Sequence, residues 1–80
     1  MGVKFSKQAT KAVNGMDRPT KQRIRAAIGG IPNGDIKPLK GCPGAYRLRV
    51  GDWRIIFEYV DDETILIDKI APRGEVYKGV

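Results

Sequence analysis

The chain of 80 residues contains no histidine and a single cysteine, Cys42. Histidine is the commonest acid–base residue and the commonest metal ligand, so its absence removes the usual groups for hydrolytic and metal-assisted catalysis. A structural zinc site needs several Cys or His ligands and is excluded by the same count. Cys42 has no histidine to activate it and no partner for an internal disulfide. We therefore expect no metal and no small-molecule cofactor.

Long apolar stretches are also absent. No run approaches the roughly 18 residues of a membrane span, and the opening MGVKFSKQ lacks the apolar core of a signal peptide. We therefore expect no membrane partner and a cytoplasmic location. A chain of 80 residues has room for one hydrophobic core, so a single domain over residues 1–80 is expected.

The charge balance is strongly positive. Fifteen Lys and Arg residues against nine Asp and Glu residues give a formal net charge of +6. A small basic domain is attracted to polyanions, and contacts with phosphate groups are the usual reason. The alternative is a basic surface that only keeps the protein soluble, and charge alone does not separate the two.

The first half of the sequence carries helix signals. Ser6 is a typical N-cap residue, and apolar residues follow it at helical spacing. A second apolar pattern at helical spacing follows Asp17 and Thr20, either of which can cap a helix, and it ends at Gly29-Gly30. These signals predict a short strand at Val3–Phe5, a helix from Ser6 to about Asn14, and a helix from Asp17 or Thr20 to Gly29.

The second half changes to the two-residue period of strands. The Pro- and Gly-rich segment from Ile31 to Gly44 is predicted to be a long loop. The fold class predicted is α+β: a short N-terminal strand, two helices, and an antiparallel three-stranded meander with the helices on one sheet face. The meander strands are expected at Ala45–Val50, Trp53–Val60 and Thr64–Ile70, with tight turns at Gly51-Asp52 and Asp61-Asp62.

Three arginines alternate with apolar residues in the predicted meander. Arg47 and Arg49 alternate with the apolar residues of the first meander strand, and Arg54 lies on the opposite side from most apolar residues of the second. Because successive side chains of a strand point to opposite faces, the apolar sets can cover the helices. We therefore expect the three arginines to lie together on the open face or its edge. Arg73 and Tyr77 follow the last strand and are expected to converge on the same concave site.

Three segments resemble the RelE/ParE toxin superfamily. The run PLKGCPGAYRLRVGDWRIIF (Pro38–Phe57) resembles the central pattern of the family, RGEVY (Arg73–Tyr77) is similar to the closing motif of the RelE branch, and VKFSKQA (Val3–Ala9) is similar to typical family starts. The resemblance covers almost the whole chain in the expected order. It implies a toxin of a type II toxin–antitoxin system with a RelE-like small domain, held inactive by a cognate, partly acidic, RelB-like antitoxin.

The resemblance also implies roles for individual residues. Arg54 matches the phosphate-stabilising arginine of the family, and Arg49 matches a position that is commonly lysine in RelE enzymes. A lysine can lose its proton in a cationic site, whereas a guanidinium stays protonated, so arginine here favours charge stabilisation over proton abstraction. The implied catalytic residues are Arg49, Arg54, Arg73 and Tyr77, and the implied RNA-binding residues are Arg47, Lys40 and Lys37.

Three functions stay open at this point. RelE-like members are ribosome-dependent endoribonucleases that cut mRNA in the A site of the 70S ribosome, and this metal-independent activity is our first expectation. ParE-like members share the fold but inhibit DNA gyrase without being enzymes. A degenerate toxin that serves only as a co-repressor with its antitoxin is the third reading. At the residue level, Arg54 has the alternative of an ion pair with Glu58 or Asp68, and Tyr77 that of packing the C-terminal tail.

Overall fold

A computed structural model describes residues 2–31 and 33–72 as two helices and five strands. The elements are β1 (Gly2–Phe5), α1 (Lys7–Asn14), α2 (Arg18–Gly29), β2 (Asp35–Pro38), β3 (Ala45–Val50), β4 (Trp53–Asp61) and β5 (Thr64–Pro72). The strands form one sheet in the order β1-β5-β4-β3-β2, antiparallel throughout except for the parallel pair β1 and β5. The predicted α+β class, the two helices and the meander of β3, β4 and β5 are confirmed.

Side-chain caps fix where both helices begin. The Ser6 hydroxyl accepts a hydrogen bond from the Ala9 amide at 3.0 Å and donates one to the Asp68 carbonyl at 2.7 Å, so the start of α1 is tied to β5. The Asp17 carboxylate accepts from the Thr20 amide at 3.3 Å. Asp17, rather than Thr20, is therefore the cap of α2, and each such cap stabilises its helix by about 1 kcal/mol.

The main core lies between the helices and one face of the sheet. Its helical side chains come from Ala9 and Val13 of α1 and from Ile24 and Ile28 of α2. The sheet contributes Leu48, Ile55, Phe57, Ile65, Ile67 and Ile70. All of these are buried, so the alternation of β3 and β4 turns the arginines toward the opposite face. Among the described residues, no helix is long and apolar enough to cross a membrane.

The expectation of a continuous loop from Ile31 to Gly44 is wrong for four of its residues. Asp35–Pro38 forms β2, an edge strand antiparallel to β3 in which Ile36 lies opposite Leu48. Pro38 is compatible with this position because an edge strand has one side without a neighbour, where a missing N–H costs no ladder bond. A strand of four residues is too short to show a period among glycines and prolines, so the sequence pattern gave no sign of it.

Candidate functional site

On the open face of the sheet, strands β2, β3 and β4 bring four basic side chains together, and we call them the arginine face: Lys37, Arg47, Arg49 and Arg54. The register places Arg49 of β3 directly opposite Arg54 of β4, and Lys37 of β2 directly opposite Arg47 of β3. Residues that are directly opposite in a sheet point to the same side. The face thus carries positive charge on three adjacent strands.

The pair of Arg49 and Arg54 is unfavourable for the fold. Side chains directly opposite each other in an antiparallel pair have Cβ atoms about 5 Å apart, and like charges there destabilise the sheet. Within residues 2–31 and 33–72, neither guanidinium has a carboxylate within 4.0 Å. Local features that oppose folding are found most often at functional sites. This pair is therefore the feature of the sheet that most directly indicates a site for an anion.

Arg54 is held at the hairpin end of the face. Its Nη1 donates to the carbonyl of Gly51 at 3.3 Å and to the carbonyl of Trp53 at 3.2 Å, and the residue is half-buried. An ion pair of Arg54 with Glu58 or Asp68 is not observed among the described residues. The guanidinium is thus oriented by neutral carbonyl groups and keeps its full charge for a ligand.

Arg47 has a different environment from the other two arginines. Its Nη2 lies 3.5 Å from Oδ1 of Asp35, and its side chain is only 15% exposed. The ion pair connects β3 to the edge strand β2, so part of the charge of Arg47 is neutralised within the fold. A pair with so exposed a carboxylate contributes at most about 1 kcal/mol. Arg49, which is exposed, and Arg54 are therefore the more available cations.

A pair of carboxyl groups that sequence reasoning did not assign to the site lies further along the sheet. Asp68 is the extra residue of β5 at the register shift opposite Ile56 and Phe57, and Glu58 of β4 is its neighbour. Burial, together with the Glu58 carboxylate, raises the pKa of Asp68 from the ordinary 3.8 to about 6. The sequence alone did not indicate this pair, because the contact of Asp68 with Glu58 depends on the bulge that brings the two strands into this register.

The raised pKa of Asp68 predicts a pH-dependent stability. Ionised Asp68 is disfavoured in the fold, so the stability present below pH 3.8 is lost as pH rises through about 6. An Asp68→Asn variant should therefore melt at a higher temperature than the wild type at pH 7.5. The difference should shrink through pH 6 and vanish below pH 3.8. Circular dichroism melts across this range measure it.

A matched control for this prediction is Asp62→Asn, which makes the same charge change at an exposed position in the turn between β4 and β5. The hydroxyl of Ser6 bonds the carbonyl of Asp68 rather than its carboxyl group, so the substitution leaves the helix cap in place. Equal gains for the two variants, or a gain at Asp68 that does not vary with pH, would contradict the assignment.

The remaining predicted site residues are not all on the face. Lys37 and Lys40 are exposed on β2 and on the turn that follows it. Arg73 and Tyr77 lie outside the described residues. Cys42 is a free, half-buried cysteine in the turn between β2 and β3. In the part of the chain that the structure describes, no group of three or more His, Cys, Asp or Glu residues could hold a metal ion.

Comparison with known proteins identifies the family. The family described as "ParE toxin of type II toxin-antitoxin system, parDE" matches residues 3–77. Toxin RelE3 of Methanocaldococcus jannaschii is 32% identical, and the match covers 96% of each chain.

Two solved structures are also similar. The RelB–RelE complex from Methanococcus jannaschii matches with a TM-score of 0.74 and 28% identity, over 92% of this chain and 94% of the other. The archaeal RelE–RelB complex from Pyrococcus horikoshii matches with a TM-score of 0.71 and 31% identity, over 92% and 96%. With the family match spanning both helices and all of β2 to β5, the chain belongs to the RelE/ParE superfamily of type II toxin–antitoxin toxins.

Proposed function

We propose that this toxin is a ribosome-dependent endoribonuclease that cuts mRNA in the A site of the 70S ribosome and so stops translation. The observation that carries the proposal is the opposed pair of Arg49 and Arg54 on an open sheet face, neither of which has a carboxylate within 4.0 Å among the described residues. The names of the relatives support the RelE branch, because Toxin RelE3 and both solved complexes are RelE proteins. Because mRNA and ribosomes are in the cytoplasm, the proposed activity is cytoplasmic.

The chemistry suits a site without metal or histidine. RNA supplies its own nucleophile, since the 2′-hydroxyl attacks the adjacent phosphorus, the bond to the 5′-oxygen breaks, and a 2′,3′-cyclic phosphate forms. The protein has to hold the nucleotide in line and to stabilise the negative charge that develops on the phosphoryl oxygens. Two preorganised guanidinium groups are suited to that charge, since each presents planar N–H donors to phosphate oxygens.

The described residues offer few side-chain groups that could transfer a proton in this step. Arg49 and Arg54 stay protonated and act as electrostatic groups. By resemblance, Tyr77 at the C-terminal motif or a ribosomal group assists the proton transfers, with Arg73 as a further phosphate contact. Arg47, Lys37 and Lys40 serve as outer contacts to the RNA backbone. The ribosome is therefore needed to order the substrate, and cleavage of free RNA should be slow.

The decisive experiment uses the purified toxin with ribosomes that carry a defined mRNA and an empty A site. Primer extension should map a cut within the A-site codon, and the same mRNA without ribosomes should stay intact on that time scale. Expression in a bacterium should give codon-phased 5′ ends in translated regions. An uncut A-site codon would refute the proposal.

A gyrase inhibitor is the second candidate, favoured by one observation: the matching family carries the ParE description. A gyrase supercoiling assay separates the two. Inhibited supercoiling with intact messages would assign the toxin to the ParE-like mode, whereas codon-phased cuts with unaffected supercoiling assign it to the RelE-like mode. Absence of growth arrest on expression would leave the co-repressor reading.

The proposed partner that silences the toxin is a RelB-like antitoxin. Both solved relatives are described as complexes of RelE with RelB. A partly acidic antitoxin is complementary to a chain with a net charge of +6 and to the arginine face in particular. Its folding on binding would allow it to cover a wide surface.

A further inference from the structure

Arg23 of α2 lies against the turn that connects β3 and β4, although it belongs neither to the arginine face nor to the motifs that resemble the family. Gly51 of that turn has φ +59°, and a Cβ built there would lie 2.8 Å from Nη2 of Arg23. The guanidinium of Arg23 therefore occupies the space that any side chain at position 51 would need. Glycine is favoured here by the positive φ that a tight hairpin turn uses, and its bare surface lets the guanidinium of Arg23 approach this closely.

Gly51 is contacted by a second guanidinium from the other side of the sheet. Nη1 of Arg54 donates to its carbonyl at 3.3 Å. Two arginines, one from the helix layer and one from the open face, thus contact the same turn residue. Arg49 lies directly opposite Arg54 and two residues before Gly51, so a third arginine stands near this end of the hairpin.

The two arginines that contact the turn, Arg23 and Arg54, have no ion-pair partner among the described residues. Arg23 is exposed, and no carboxylate within residues 2–31 and 33–72 lies within 4.0 Å of it or of Arg54, the adjacent Asp52 included. Helix α2 and strand β4 thus bring one guanidinium group each to the two sides of the same turn residue. An anion at the tip of the turn would be attracted by both.

We propose that Arg23 binds a backbone phosphodiester of RNA at the tip of the β3–β4 turn, beside the reacting phosphate that Arg49 and Arg54 hold. The inference rests on the proposed function and extends it, because it continues the path of the RNA from the arginine face around the end of the sheet to α2. A phosphodiester is favoured over a single carboxylate because the tip adjoins the face where the reacting phosphate binds, so one strand can reach both with neighbouring phosphates. Arg23 is thus a binding residue outside the catalytic pair.

The matched variants are Arg23→Ala and Arg25→Ala. Both remove one positive charge from an exposed position of α2, but Arg25 lies on the other side of the helix, in the groove with Phe5 and Val3 of β1. Arg23→Lys keeps the charge and removes the planar fork of donors. Neither Arg23 nor Arg25 is buried, so the variants should keep the wild-type melting temperature.

The test measures binding of a labelled single-stranded RNA with 2′-O-methyl ribose, which lacks the attacking hydroxyl, both free and as the A-site codon on the ribosome. Arg23→Ala should weaken binding roughly tenfold, as expected for loss of one charge-assisted contact. It should also lower the slope of log K against log salt by about 0.7, the value for one phosphate of a single strand. Arg23→Lys should fall between, and Arg25→Ala should leave the slope unchanged.

The outcomes separate the possible sources of the phosphate. A loss specific to Arg23→Ala with free RNA, or on ribosomes only when they carry the messenger, places the phosphate in the messenger. A loss that persists on ribosomes without mRNA places it in ribosomal RNA. Equal losses for Arg23→Ala and Arg25→Ala, or no loss in either arm, would overturn the proposal. A loss confined to antitoxin affinity would assign Arg23 to a protein contact instead and also overturn it. If wild-type toxin binds unmodified mRNA but does not cut it, the proposed function fails, and this outcome is distinct from failure of the binding proposal.

Discussion

Replacing Arg54 with alanine is expected to slow cleavage of the A-site codon by about 10²–10³-fold, the usual effect of removing one preorganised donor to a developing negative charge. The structure gives the reason: the guanidinium is held by the carbonyls of Gly51 and Trp53 at 3.3 and 3.2 Å and so needs no reorientation when the substrate arrives. Single-turnover cleavage of ribosome-bound mRNA at saturating toxin measures the rate.

The control for this prediction is Arg25→Ala, an equal change of net charge on α2 that should leave the single-turnover rate near that of the wild type. Arg54 also connects two turn carbonyls, so its loss can lower stability, and thermal unfolding of each variant must show a folded protein at the assay temperature. A folded Arg54→Ala variant that cleaves at the wild-type rate would remove Arg54 from the catalytic site. Arg54→Lys should be intermediate, because the charge remains but the fork of donors does not.

The parts of the fold that the sequence predicted correctly are those with local causes. Ser6 and Asp17 cap their helices through bonds to amides three residues on, and the Gly51 turn lies between two strands of alternating residues. Alternation alone put Arg49 and Arg54 on one face, because the side chains of a strand have a period of two. The direct opposition of these two residues follows from the two-residue loop that connects the strands.

The parts that could not be predicted depend on contacts between distant segments. β1 pairs in parallel with β5, and nothing in four residues near the N-terminus indicates that partner. Strand β2 and its ion pair from Asp35 to Arg47 depend on pairing across a Pro- and Gly-rich segment. The approach of Arg23 to Gly51 likewise requires the packing of α2 on the sheet, so its helical spacing indicated only an outward-facing residue.

The open face therefore combines two opposing requirements. On the side toward the helices, strands β3 and β4 bury apolar residues that stabilise the domain, whereas on the open side the same strands place like charges directly opposite each other. A basic domain of 80 residues has little stability to spare. The coupling between Arg49 and Arg54 should therefore be unfavourable for stability and favourable for activity.

A double-mutant cycle on Arg49→Ala and Arg54→Ala is expected to show those opposite responses. In stability, each single variant relieves the repulsion and the double variant relieves it only once. The double variant should therefore be less stable than the sum of the single effects by about 0.2–1 kcal/mol, the magnitude typical of cross-strand side-chain pairs. The cycle cancels the separate contacts of each residue, including the carbonyl bonds of Arg54 and the position of Asp35 opposite Arg49. Urea unfolding at low salt measures this coupling free energy, and about 1 M salt should abolish it by screening the charges.

In catalysis the same cycle should show that the two arginines act as a unit. Each single variant is expected to lose about 10²–10³ in rate, and the double variant should lose far less than the product of those factors, because one guanidinium without the other no longer holds the phosphate. Single-turnover rates on the ribosome for the four proteins give the answer. Rate losses that multiply would mean that Arg49 and Arg54 contact separate phosphates. If the cycle shows no coupling in the free energy of unfolding, the fold keeps the two charges apart.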